Sequence, residues 1–171
     1  AVSLFELSPF AKFDISGPDA LEYLQLICCN DLDIDVGRLR YSLMLNTRGG
    51  IEAEITVARL GQDHFRIVSG AATRFKDLAW LQRQLDSALA VTIVDVSEDY
   101  AVLGVMGPGS RQLMQALGDV DFSDEAFPFS TARQVRINGC ELLAARLSFV
   151  GELGWELYVP NASSQALLEH V

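Results

Sequence analysis

Basic residues are scarce in this sequence: 13 Lys and Arg stand against 23 Asp and Glu, a net charge of −10 over 171 residues. A chain that grips nucleic acid or an anionic bilayer through phosphates needs a basic face. The densest basic run holds only Arg38, Arg40 and Arg48. Nucleic acid and membrane are therefore set aside as partners, and the acidic excess reads as a solubilising surface. Cysteine is equally sparse. Cys28, Cys29 and Cys140 make no disulfide framework, and an odd count without a secretory signal suits a reducing compartment. With no CxxC, and with His64 and His170 far from the cysteines, no metal site is expected. Apolar runs fall short of the ~18 residues that cross a bilayer.

What is present is a core. Half of the residues are hydrophobic and 21% are charged, with a mean hydropathy of +0.21, which excludes a disordered tail. The length fits one domain or two small interlocked ones. The chain opens at Ala1 inside an apolar stretch and closes at Val171 inside a helical pattern over 163–171. A fragment of a longer polypeptide is expected from this.

Periodicity predicts a strand at 12–15, then a helix started by Pro18 and Asp19 with Leu21, Leu24 and Ile27 on one face. Strands at 41–46 and 51–58 flank a glycine-paired turn, and a third strand follows at 65–68. A helix over 74–87 carries Phe75, Leu78, Leu81 and Leu85 on its inner side. Strands at 91–96 and 100–105 lead to a helix opening at Pro108. Asn138-Gly139 is a type I′ hairpin dipeptide, and a last strand covers 155–159. The fold class is α+β, with mostly antiparallel sheets and flanking helices. No internal repeat stands out.

Two stretches could carry chemistry. On the 51–58 strand, Ile51, Ala53, Ile55 and Val57 share one face while Glu52, Glu54 and Thr56 share the other. Carboxylates two residues apart on a strand lie about 7 Å from one another. That face is either a solvated surface or a proton-handling site. Later, Glu152 stands between Gly151 and Gly154, ahead of Trp155. It is either a turn glutamate or a carboxylate offered to a planar, two-point donor. Arg146, upstream of it, is an ion-pair partner or an anion contact. Cys28 and Cys29 read as packing residues. The 104–111 segment lacks both GxGxxG and a terminal GK[ST], so it is a structural turn and not a phosphate cradle. Neither histidine lies near a GxSxG, and no Ser-His-Asp system is expected.

Seven segments, in order and with compatible spacing, together resemble one family. They are Leu4-Phe5-Glu6-Leu7-Ser8-Pro9-Phe10, Gly17-Pro18-Asp19-Ala20, Asn30-Asp31, Tyr41-Ser42-Leu43-Met44-Leu45-Asn46, Gly49-Gly50-Ile51, Val102-Leu103-Gly104-Val105-Met106-Gly107-Pro108, and Gly151-Glu152-Leu153-Gly154-Trp155-Glu156-Leu157-Tyr158. The chain resembles the folate-binding, aminomethyltransferase-type family, which includes the glycine cleavage T-protein and the C-terminal halves of dimethylglycine and sarcosine dehydrogenases. The final segment is closer to the dehydrogenase form.

The resemblance implies a truncated multi-subdomain folate-binding fold. Residues 1–40 would begin the first subdomain, 41–106 would be an inserted α+β subdomain, and 107–171 would return to the first. The family's C-terminal β-domain would be absent. It implies tetrahydrofolate as cofactor, no flavin bound by this chain alone, and one-carbon transfer from a methylene-amine or iminium. Glu152 would anchor the pterin, Tyr41 would line its pocket, and Thr56 would follow on the same face as Glu54. Glu54 would be the catalytic carboxylate, standing where T-proteins carry Asp. Arg146 would serve the anionic end of folate. Implied partners are the folate and the one-carbon donor, with an upstream flavin domain or a lipoyl carrier protein. The implied compartment is the cytoplasm, or the mitochondrial matrix in a eukaryote. The alternatives are a non-catalytic folate-binding regulator and an interaction module. The iron-sulfur-assembly regulators carry Lys-Gly-Cys-Tyr-x-Gly-Gln-Glu, whereas 148–152 here reads Ser-Phe-Val-Gly-Glu without the cysteine.

Overall fold

The computed structural model describes residues 1–169. The expected helical continuation through His170 and Val171 lies outside the described residues. By compactness the chain forms two units, one of residues 9–97 and one that joins residues 1–8 to the chain from 98 onward. The divisions at 40/41 and 106/107 expected from sequence fall elsewhere. Strand pairing is the reason. The strand Ala11–Ser16 pairs with His64–Ser69 and with Thr92–Asp95, which draws everything from 9 to 97 into one sheet.

In chain order the elements are β1 (Ser3–Glu6), β2 (Ala11–Ser16), α1 (Ala20–Ile27), β3 (Leu39–Leu45), β4 (Ile51–Gly61), β5 (His64–Ser69), α2 (Arg74–Gln84), β6 (Thr92–Asp95), β7 (Tyr100–Met106), α3 (Ser110–Leu117), β8 (Thr131–Ile137), β9 (Cys140–Arg146), β10 (Gly154–Pro160) and α4 (Asn161–Leu168). The unit of residues 9–97 holds a sheet in the order β3-β4-β5-β2-β6, and the other unit holds β1-β7-β10-β9-β8. The named strand pairs in both sheets are antiparallel. The fold is α+β.

Read from either end, the two orders describe one plan. A strand leads to an eight-residue helix, then to a three-stranded meander, then to a second helix, and one further strand lies beside the first. The likeness extends to the backbone. β2 runs into Gly17 (φ +130°) and β7 into Gly107 (φ +121°), each followed by proline. The Gly17 N–H donates to the Asp63 carbonyl at 3.0 Å, and the Gly107 N–H to that of Leu153 at 2.7 Å. Both acceptors lie between the second and third meander strands. The sequence shows no repeat because few identities are shared, Gly17-Pro18 with Gly107-Pro108 and Gln25 with Gln115 among them, while apolar positions vary freely within the same plan.

Each unit has its own core. Phe13, Ile15, Tyr23, Leu24, Ile55, Val57, Phe65, Ile67 and Leu81 fill one, and Val105, Met114, Phe122, Phe127, Ile137, Trp155, Leu157 and Val159 fill the other. Burial of such side chains stabilises by about 1.5–3 kcal/mol each before ordering costs. Two expected core positions differ. Phe75 is 80% exposed, because it precedes Asp77 by two residues and so points to the far side of α2, whose buried stripe is Asp77, Trp80 and Leu81. Ile51 is 61% exposed, because the β3–β4 register shifts between Met44/Ala53 and Leu45/Ile51 and breaks the alternation there.

Candidate functional site

The 39–61 hairpin presents the first cluster. Its turn closes through Asn46, whose N–H donates to the Gly50 carbonyl at 2.9 Å while Gly49 adopts φ +76°. The Asn46 side chain holds the bend together. Its Oδ1 accepts the N–H groups of Arg48 and Gly50 at 3.0 Å each, and its Nδ2 donates to Glu52 Oε1 at 2.9 Å. Glu52 is thereby engaged in the turn.

Further along, Tyr41 stands opposite Thr56 and Leu43 opposite Glu54. Alternation therefore puts Tyr41, Glu54 and Thr56 on one face. The Tyr41 hydroxyl crosses the diagonal and donates to Glu54 Oε1 at 3.0 Å. Both side chains are exposed and Thr56 is half-buried. The hydrogen bond to Glu54, foremost, holds the Tyr41 phenol above its usual pKa. Three of the residues named from sequence thus share a face, and two of them are bonded. The strand of Tyr41 is steadied from outside by Asn30, which donates its Nδ2 to the Tyr41 carbonyl at 2.6 Å. Beside it, burial first and then the neighbouring Cys29 push the Cys28 thiol up to about 12. A thiol held neutral in this way is a packing group.

In the other unit, Glu152 and Arg146 part company. Glu152 is exposed on the bend between β9 and β10, next to Gly151 at φ +79°. Arg146 is buried, with both terminal nitrogens hydrogen-bonded. Its Nη1 donates to the Phe127 carbonyl at 2.6 Å, its Nη2 donates to Asp124 at 2.5 Å, and its guanidinium lies over Trp155. Asp124 also accepts Arg111 Nη2 at 2.7 Å. Hydrogen bonds from Arg111 and Arg146 hold its carboxyl below the usual range. Of the two readings of Arg146, the ion pair is the one the structure contains.

Sequence reasoning missed Glu156. Trp155, Leu157 and Val159 of β10 point into the core, which turns Glu156 and Tyr158 to the opposite face. There the Tyr158 hydroxyl donates to Glu156 Oε2 at 2.8 Å. Burial raises the Glu156 pKa above the usual carboxylate range, against the lowering effect of Tyr158. Its partners across the ladder are Gly104 and Ala145, neither of which has a side-chain donor. The available signal was the alternation 155–159, apolar at odd positions and polar at even ones.

Among the described residues no group of three or more His, Cys, Asp or Glu could hold a metal ion, and no helix is long and apolar enough to cross a membrane. Comparison with known proteins decides the family. The model of the GCVT N-terminal domain matches residues 1–171. The chain belongs to the GCVT N-terminal domain family. It is 44% identical over 161 residues to 4-methylaminobutanoate oxidase (formaldehyde-forming) of Paenarthrobacter nicotinovorans, covering 94% of this chain and 19% of that protein. It is 36% identical over 171 residues to the mitochondrial dimethylglycine dehydrogenase of Rattus norvegicus, covering 99% of this chain and 20% of that one. This GCVT-family chain therefore spans about a fifth of the length of those relatives. Its fold matches the glycine cleavage system aminomethyltransferase T of Bartonella henselae with a TM-score of 0.84 at 24% identity, over 98% of this chain and 44% of that one.

Proposed function

We propose that this GCVT-family chain binds tetrahydrofolate and serves one-carbon transfer to it from a methylene-amine or iminium. The observation that carries the reading is Glu156, a partly buried carboxyl with Tyr158 as its hydrogen-bond donor and with no side-chain donor directly opposite it on either neighbouring strand. A carboxylate so placed has lone pairs to offer a flat, two-point N–H donor such as a pterin head. Glu152, the anchor expected from sequence, is exposed. A contact made in water gains less than one made in a low dielectric, so the anchoring role passes to Glu156.

Tetrahydrofolate supplies nitrogen nucleophiles that accept the one-carbon unit. Overall, a methylene-iminium and tetrahydrofolate give 5,10-methylenetetrahydrofolate and the protonated amine. Two N–H protons move to the amine nitrogen, and nothing is oxidised or reduced. Glu54 is the residue that takes and returns a proton. Its Oε1 accepts the Tyr41 hydroxyl, which orients the carboxylate, and its negative charge favours a cationic donor. Such proton handling contributes about 10²–10⁴ in rate. Thr56 lines the same face. The extra methylene of Glu, where T-proteins carry Asp, lengthens the reach from the strand.

Delivery of the donor from an upstream flavin domain or a lipoyl carrier protein accords with this reading, as does a cytoplasmic or mitochondrial-matrix setting. The test is calorimetric titration of the full-length protein with tetrahydrofolate. Binding that Glu156→Gln weakens supports the reading. Absence of binding would favour the interaction-module alternative.

A further inference from the structure

Strand β4 has no partner on its β5 side where it carries its acids. The β4–β5 ladder begins at Ile55, opposite Ser69, so residues 51–54 have no β5 partner. On the other side the β3 ladder pairs Met44 with Ala53 and Leu45 with Ile51, which leaves Glu52 as the bulged residue. A bulge disrupts the ladder and re-aims nearby side chains. An unpaired backbone carbonyl next to it needs a donor from elsewhere.

That donor comes from α2. The ammonium of Lys76 donates to the Glu52 carbonyl, and the same nitrogen lies 3.7 Å from Asp77 Oδ1. The adjacent Asp77 is fully buried and ties α2 to β5, accepting Ser69 Oγ at 2.9 Å and Thr73 Oγ1 at 2.7 Å. The two attachments are separable. Asp77 secures the helix to the core, while the half-exposed Lys76 reaches the bulge two residues before Glu54.

We propose that Lys76 is a positioning residue for Glu54: by holding the bulged Glu52 carbonyl it fixes the segment of β4 that aims the Glu54 carboxylate. This rests on the acid-base role given to Glu54 above. Lys76 itself touches no reacting atom.

The test uses the full-length protein with Lys76→Met, Lys76→Arg, Glu54→Gln and the double variant Lys76→Met/Glu54→Gln. Turnover of tetrahydrofolate with formaldehyde and an amine donor is measured, together with the alkaline titration of Tyr41 by NMR. For Lys76→Met the expectation is a fall in kcat of about tenfold, part of the roughly hundredfold that a 1 Å misplacement can cost, with KM for tetrahydrofolate unchanged. Lys76→Arg restores most of it, and Lys76→Met adds nothing in the Glu54→Gln background. The Tyr41 titration moves down, because Glu54 drifts from the phenol. Loss of the Lys76 charge alone would move it up, since a nearby cation favours phenolate. An unchanged or raised Tyr41 midpoint, or additive losses in the double variant, would overturn the proposal. If Glu54→Gln itself leaves turnover intact, the acid-base reading fails instead, and the Tyr41 titration still decides whether Lys76 positions Glu54.

Discussion

Tyr41 and Glu54 meet diagonally across the β3–β4 ladder, phenol to carboxylate at 3.0 Å, with both side chains exposed. The pair links two strands at the carboxylate proposed above to handle protons. A first prediction concerns its titration. The Tyr41 phenol sits above its ordinary 10.0, chiefly through the hydrogen bond to Glu54. Glu54→Gln removes the charged acceptor, so the Tyr41 midpoint should fall toward the ordinary value. NMR of ring-labelled tyrosine, with Tyr41→Phe for assignment, reads this directly. A midpoint that stays put would break the pair in solution.

Glu156 predicts a stability profile. Its folded pKa is raised above the ordinary 4.5, with burial the dominant cause. A group raised in this way favours the folded state while protonated, and that contribution disappears as pH climbs from the unfolded value through the folded one. Glu156→Gln cannot ionise. The variant should match the wild type at pH 3.5 and become the more stable of the two as pH rises past about 4.5 toward neutrality. Urea midpoints across that range check the sign. A gap that opens on the acid side would be the wrong one.

The shared strand–Gly–Pro plan predicts where alanine is not tolerated. A Cβ on Gly17 would lie 2.1 Å from the Ala90 carbonyl oxygen, and its φ is +130°. At Gly49, φ is +76° and nothing lies within 4 Å. Gly49→Ala should therefore cost only the left-handed strain, about 1–2 kcal/mol. Gly17→Ala should cost more, because backbone must also move. Equal losses in thermal melts would contradict the close approach.

Much of this was legible in the sequence. Val57 and Ile55 alternate with Thr56 and Glu54, and that pattern alone puts Glu54 and Thr56 on one side of the strand; Tyr41 joins them through the β3–β4 register, which the alternation did not give. Asn138 and Gly139 take φ of +48° and +77°, as their identities predict. What was not legible depended on partners distant in sequence. Arg146 could have met an anion until its Nη1 and Nη2 were seen to donate to Phe127 and Asp124. Glu152 attracted attention through its glycines, but a glycine-rich bend is also where a side chain points to water. Glu156 looked like one more polar strand residue. Its burial comes from the tertiary fold, and so does the repetition of one plan by two units that share few identities, Gly17-Pro18 with Gly107-Pro108 among them.

The central claim is that a reduced pterin is gripped by the carboxylate of Glu156. Titration calorimetry of tetrahydrofolate into the full-length wild type, Glu156→Gln and Glu152→Ala tests it most directly. Loss of a charge-assisted pair of hydrogen bonds should weaken binding by about 1.5–3 kcal/mol, roughly 10- to 100-fold, in Glu156→Gln, while Glu152→Ala stays near wild type. Equal affinity in wild type and Glu156→Gln, or a loss confined to Glu152→Ala, would contradict it.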